Sequence, residues 1–151
     1  FDTMNWIVKV LTTEDLYGRK AGTAALQAWK EQILDENDFI GVSEEKLRMM
    51  HEIHNSAVGM FAECRWIAGL FLRDLAAKNM NFEYELDQAA SIMKLQHDLM
   101  YNMWDICGGI YNPNSWEFFA KSDVRRQLSK VIDEVISNEN KVTGIFKKIN
   151  S

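Results

Sequence analysis

Leu47, Met50, His54, Ala57, Phe61, Cys64, Ala68, Phe71 and Leu75 follow one another at alternating steps of three and four residues. That spacing places them on one side of a single long helix. Leu86, Ala90, Met93, His97, Met100, Trp104 and Cys107 repeat the rhythm further on. Only Ala76 to Glu85 separates the two stripes, so the helices are expected to fold back antiparallel, with facing residues whose numbers sum to about 161. On that register His54 faces Cys107 and Cys64 faces His97, two buried cysteine/histidine layers.

The rest of the pattern fills in around this hairpin. Asn5 to Leu11 is β-branched and aromatic and reads as a short N-terminal strand. A single strand cannot pair with itself, so residues 1–11 are read as a strand left from a preceding domain and residues 12–151 as a helical bundle domain. Thr12-Thr13-Glu14-Asp15 opens a helix through about Leu34, with a small inner face at Gly18, Ala21, Gly22, Ala24, Ala25 and Ala28. Ser43 with Glu44 and Glu45 caps the long helix, which runs to about Lys78, and Asn79 to Asn81 make the turn. The next helix, from about Phe82 to Cys107, stops at Gly108-Gly109, because glycine takes the left-handed C-terminal position cheaply. Ser115 starts a short turn through Phe119. Ser122-Asp123 starts a final helix with Val124, Leu128, Val131, Val135 and Ile136 inward and a candidate interruption at Asn138-Glu139-Asn140. The expected fold is all-α: an antiparallel helical bundle of about four principal helices with a short N-terminal strand.

Composition narrows the function classes. The 151 residues are 47% hydrophobic, enough for a core without disulfides or metals. A net charge of −5 with no run of basic residues argues against a nucleic-acid partner. No apolar stretch reaches the roughly 20 residues that a bilayer span requires, so no membrane partner is expected. Two cysteines on apolar faces fit reduced thiols in a cytoplasmic protein. Phe1 is not an initiator residue, which suggests a fragment, a processed chain or an excised domain.

Several residues invite a chemical reading. His51 and His54 fall short of the zincin spacing, and with Cys107 they offer at most three ligands, so the expectation is no metal and no cofactor. Cys64 and His97 have the residue types of a thiolate–imidazolium dyad, but an apolar seam gives substrate no access and provides no oxyanion donors, so a structural pair is expected. Arg65 breaks the apolar run from Phe61 to Leu72. It is either an ion pair laid over apolar surface or a clamp for a carboxylate or other anion. Arg65, His54 and Trp104 are the candidate ligand contacts, while Trp29 and Tyr101 read as core fillers. Asp35, Glu36 and Asp38 read as a solvated loop.

The order of features from Trp6 to Trp104 resembles the butirosin biosynthesis protein H-like family. The matching pieces are the strand ending near Leu11, Tyr17-Gly18-Arg19-Lys20-Ala21-Gly22 with Ala25-Leu26, then Arg65 followed by Phe71-Leu72, and Ala89-Ala90 leading to Trp104. The resemblance implies a helical companion to an N-terminal papain-like cysteine domain, itself an acyltransferase or peptidase-like unit missing from this chain. That family's nucleophile and histidine belong to the missing domain, so no catalytic residue carries over and the segment is not expected to be catalytic by itself. Its role would be to pack on that domain and wall its substrate cleft. The alternatives are a free-standing interaction domain, a homodimer using the small face around Gly18, Gly22 and Ala25, or a His/Cys metal-binding bundle.

Overall fold

The computed structural model describes residues 2–150, with side chains described from residue 5. The elements are α1 (Asp2–Thr12), β1 (Asp15–Leu16), β2 (Arg19–Lys20), α2 (Gly22–Leu34), a 3-10 turn (Glu36–Asp38), α3 (Glu44–Lys78), α4 (Glu83–Ile106), α5 (Ser115–Phe119) and α6 (Ser122–Ile149). The chain is a helical bundle, as the periodicity predicts.

The α3–α4 hairpin forms on the expected register. Arg65 meets Gln96, Gly69 lies against Ala90 and Met93, and Trp66 packs on His97. Ser43 caps α3 by accepting from the backbone N–H of Lys46, and Glu44 and Glu45 sit at the positive end of its dipole. The buried face of α3, however, is His51, His54, Val58, Ala62, Gly69, Leu72 and Ala76. That is the expected stripe turned by about one residue, or about 100°. Helix α3 is apolar on two adjacent faces, so a three-four rhythm fits either one. The smaller residues win the contact with α4, because a Cβ at Gly69 would stand only 3.3 Å from the Ala90 carbonyl oxygen. Ala57, Cys64 and Phe71 are left exposed.

The N-terminal elements differ from the expectation. Residues 5–11 are helical, and Phe1 lies outside the described residues. Ile7, Val8 and Leu11 share one helical face and pack with Val142, Phe146 and Ile149 of α6, so burial on a neighbour overrides β-propensity. Residues 5–11 therefore offer no edge to a preceding sheet. The strands lie later: Asp15 pairs with Lys20 and Leu16 with Arg19 around a two-residue turn. Tyr17 and Gly18 both have positive φ there, as such a turn requires. The small stripe is thus broken, since Gly18 is in the turn and Gly22 starts α2. Gly22 (φ +53) cannot be replaced without strain, because its Cβ would lie 2.3 Å from the Leu11 carbonyl oxygen.

Helix α6 runs unbroken through Asn138-Glu139-Asn140 and packs against α1, α2 and α4. Two apolar clusters flank that point. One joins Val58, Ala62, Met100, Leu128, Ile132 and Val135 with Leu26 and Phe119. The other joins Leu72, Ala90, Met93, Val142 and Phe146. Arg65, Gln96 and Glu139 form a hydrogen-bonded polar layer there. Helices α2 and α3 are barely in backbone contact although both lie against the same bundle, and a groove opens between them.

Candidate functional site

The groove has two adjoining chambers. Both are walled by Ala25 and Trp29 of α2 and Ala57 of α3. The first, about 400 Å³, adds Ile33, Phe39, Met50, Ile53, His54 and Phe119, with Lys20 and Gln32 as further polar wall residues. The second, about 470 Å³, adds Val10, Leu11, Gly22, Leu26 and Phe61, closed by Arg65 and Glu139. Its walls are apolar between polar ends, the usual composition of a small-molecule site.

His54 stands at one end, 3% exposed. Its ring lies 4.8 Å from Phe119 and 5.3 Å from Trp29, centroid to centroid. Neither ring nitrogen has a hydrogen-bond partner. Burial, helped by the neighbouring His51, pushes its pKa down to about 3, so the imidazole is neutral, with one nitrogen bearing a proton and the other free to accept. Burial lowers His51 as well.

At the other end Arg65 donates from Nε to Glu139 Oε1 (2.7 Å) and Gln96 Oε1 (2.9 Å), and from Nη2 to the same Glu139 oxygen (2.6 Å). Its guanidinium also lies 4.2 Å from the centre of the Phe61 ring. Glu139 is 1% exposed. Both Arg65 bonds fall on Oε1, and Oε2 has no partner.

Of the three candidate ligand contacts, His54 and Arg65 therefore line one groove. Trp104 does not: it lies under Gly59, 3.4 Å from where a Cβ would be, and stacks on Tyr101. Arg65 forms an ion pair with Glu139, the first of the two readings its position allowed, and the pair lies inside the bundle. The cysteine/histidine layers do not form as expected. Cys64 is exposed and Cys107 is buried. His97 is half-buried among Trp66, Asp98 and Tyr101, and no hydrogen bond joins either histidine to a cysteine. Burial pushes the Cys107 thiol up to about 11, the reverse of what a nucleophile needs. Among the described residues no three His, Cys, Asp or Glu side chains converge to hold a metal ion, and no helix is long and apolar enough to cross a membrane.

Glu139, Gln96 and Arg125 were not anticipated as site residues. Arg125, 1% exposed, lies 3.6 Å from the centre of the Phe39 ring and donates to Glu36 (2.6 Å) and to the Ala120 carbonyl. It thereby braces the floor of the His54 chamber. Glu36 is thus an ion-pair partner rather than a purely solvated acid. Its pKa is lowered by hydrogen bonding to Ser122 and by Arg125. The signal was present for two of the three, since Gln96 falls between Met93 and Met100 and Glu139 between Val135 and Val142, on apolar stripes where a polar residue needs a partner. No protein-family model, curated protein or solved structure matches the chain.

Proposed function

We propose that this chain is a helical binding module that holds an elongated, mostly apolar small molecule between α2 and α3 without transforming it. One observation carries the reading: two adjoining apolar chambers, sharing Ala25, Trp29 and Ala57, end in buried polar groups that have unused hydrogen-bonding capacity. Among the described residues the lining has no hydroxyl or thiol side chain, the usual nucleophiles of acyl transfer. The two unpaired cysteines support a reducing, cytoplasmic setting.

The test is saturable binding of N-phenyl-1-naphthylamine, a neutral apolar probe that fluoresces on leaving water. Wild-type protein should bind one equivalent. Ala57→Phe, at an exposed helical position that borders both chambers, should abolish the signal with the thermal midpoint unchanged. Equal binding by the variant overturns the reading.

A second reading rests on the outward face of α3. Ile53, Ala57, Met60, Cys64, Ile67 and Phe71 are exposed and step by three and four, a seam suited to a partner helix. It supports docking on another folded unit, such as the N-terminal cysteine domain that the butirosin H-like resemblance implies, with the groove as one wall of its cleft. A second copy of the chain could use the same seam. Sedimentation equilibrium separates these, since a mass that rises with concentration and falls back in Ile67→Glu identifies self-association.

A further inference from the structure

We infer that the groove takes an amphipathic anion, a carboxylate on a long apolar body, and that the free edge of the Arg65 guanidinium receives its head group. This rests on the binding reading above and names the ligand class for it. A guanidinium is planar and presents more than one edge of N–H donors. Arg65 spends one edge inside the bundle, with Nε and Nη2 on Glu139 Oε1 and Nε also on Gln96. The other edge carries Nη1 and the second N–H of Nη2. Nη1 has no hydrogen-bond partner among the described residues and is not sealed from water. Arg65 lines the second chamber, its side chain 20% exposed. Two parallel donors in one plane match the two oxygens of a carboxylate. Glu139, Gln96 and the Phe61 ring hold that plane in place before any ligand arrives.

The charge of the groove favours the same head group. With His54 kept neutral by burial, the ionised residues of the lining are Lys20, Arg65 and Glu139, which leave the groove one net positive charge in a chain of net charge −5. Lys20 makes no ion pair among the described residues, so its charge is free to offset an entering anion. A cationic head finds no carboxylate oxygen to receive it, because Glu139 Oε1 is taken by Arg65 and Oε2 is sealed within the bundle. The apolar walls accommodate the tail. From Arg65 back to His54, α3 runs about 16 Å at 1.5 Å per residue, with Trp29, Ala57, Phe61 and Leu26 among the walls of the two chambers. An extended alkyl chain matches that run.

The experiment is displacement of N-phenyl-1-naphthylamine from the full chain by dodecanoate, 1-dodecanol and dodecylammonium at neutral pH, each below its aggregation limit. Dodecanoate should displace at least tenfold more tightly than dodecanol, with dodecylammonium weakest. Arg65→Lys keeps a cation against Glu139 but removes the planar fork, and should weaken dodecanoate at least tenfold while leaving dodecanol and the probe unchanged. Lys20→Gln, at an exposed position, should weaken dodecanoate by less. A larger loss in Lys20→Gln than in Arg65→Lys, or an equal loss for dodecanol in Arg65→Lys, overturns the assignment of the head group to Arg65. Where Arg65→Lys does not fold, the wild-type ranking and its survival in Lys20→Gln decide. Dodecanol binding as tightly as dodecanoate overturns the ligand class and leaves the groove intact. Failure of all three to displace the probe overturns the binding reading itself.

Discussion

The two ends of the groove solve one problem in opposite ways. His54 and Glu139 are both ionisable, both almost fully buried, and both set in walls that are mostly apolar. His54 meets the cost of burial by giving up its charge, with a pKa pushed down to about 3 and aromatic rings around it. Glu139 keeps a cation against it, and Arg65 and Gln96 from two other helices complete the layer. Burial therefore makes one end sensitive to pH and the other sensitive to truncation. A neutral histidine tolerates loss of its neighbours, whereas a buried charge does not tolerate loss of its counter-charge.

The largest effect should come from breaking the charged end. Glu139→Ala leaves the Arg65 guanidinium without its counter-ion inside the bundle and should cost about 3–5 kcal/mol, read from urea unfolding. The comparison sharpens with the double substitution Arg65→Leu, Glu139→Leu, which removes both charges and should be less destabilising than Glu139→Ala alone. If Glu139→Ala stays within about 1 kcal/mol of wild type, the layer is not holding a charge pair and the contrast between the ends fails.

Next in size is the acid response of the other end. The folded-state pKa of His54 lies below its ordinary value of 6.5, so the unfolded chain takes up a proton that the folded one refuses. Stability is therefore full above pH 6.5, falls as pH drops from 6.5 towards 3, and stops falling below that. Between pH 7.5 and 5 the loss from this one group should be about 2 kcal/mol. His51 adds to it with the same sign, since burial lowers its pKa too. His54→Phe, which keeps a ring between Trp29 and Phe119, should remove most of the slope in that window. Carboxylates held low by partners, such as Asp98 beside Lys94 and Glu85 beside Lys148, act only at more acid pH and leave this window clean. An unchanged slope in His54→Phe would place the acid response elsewhere.

The two ends were also unequally legible in the sequence. The α3–α4 hairpin, its caps and its register follow from spacing alone, because the apolar rhythm and the short turn admit one antiparallel pairing. Which face of α3 meets α4 does not follow, since two neighbouring stripes are equally apolar and the choice falls to Gly69 and Ala62, whose value lies in close approach. The N-terminal third differs from the expectation at residues 5–11, which are helical, and at residues 12–21, where a hairpin replaces the start of the expected helix and α2 begins only at Gly22; there local propensity and a single Gly18 turn signal compete with tertiary packing on α6. His54 and Arg65 were visible as misfits on an apolar helix. Glu139 was hidden because its flanking asparagines resemble a break, when all that Glu139 required was the Arg65 counter-charge on another helix.

The smallest effect concerns the cysteines, which the shifted face of α3 separates. Cys107 is buried within the His54-side cluster, and Cys64 lies on the exposed seam of α3. Cys107→Ala removes one buried heavy atom and should cost about 1 kcal/mol, on the scale of a buried methylene, whereas Cys64→Ala should stay within about 0.5 kcal/mol. A thiol-specific reagent should modify one cysteine at once in the native protein and the second only on unfolding, because the high pKa and burial of Cys107 suppress its thiolate. Native protein that yields both thiols at the same rate would return the two residues to equivalent positions, and would do so only if α3 presents the stripe that the sequence first suggests.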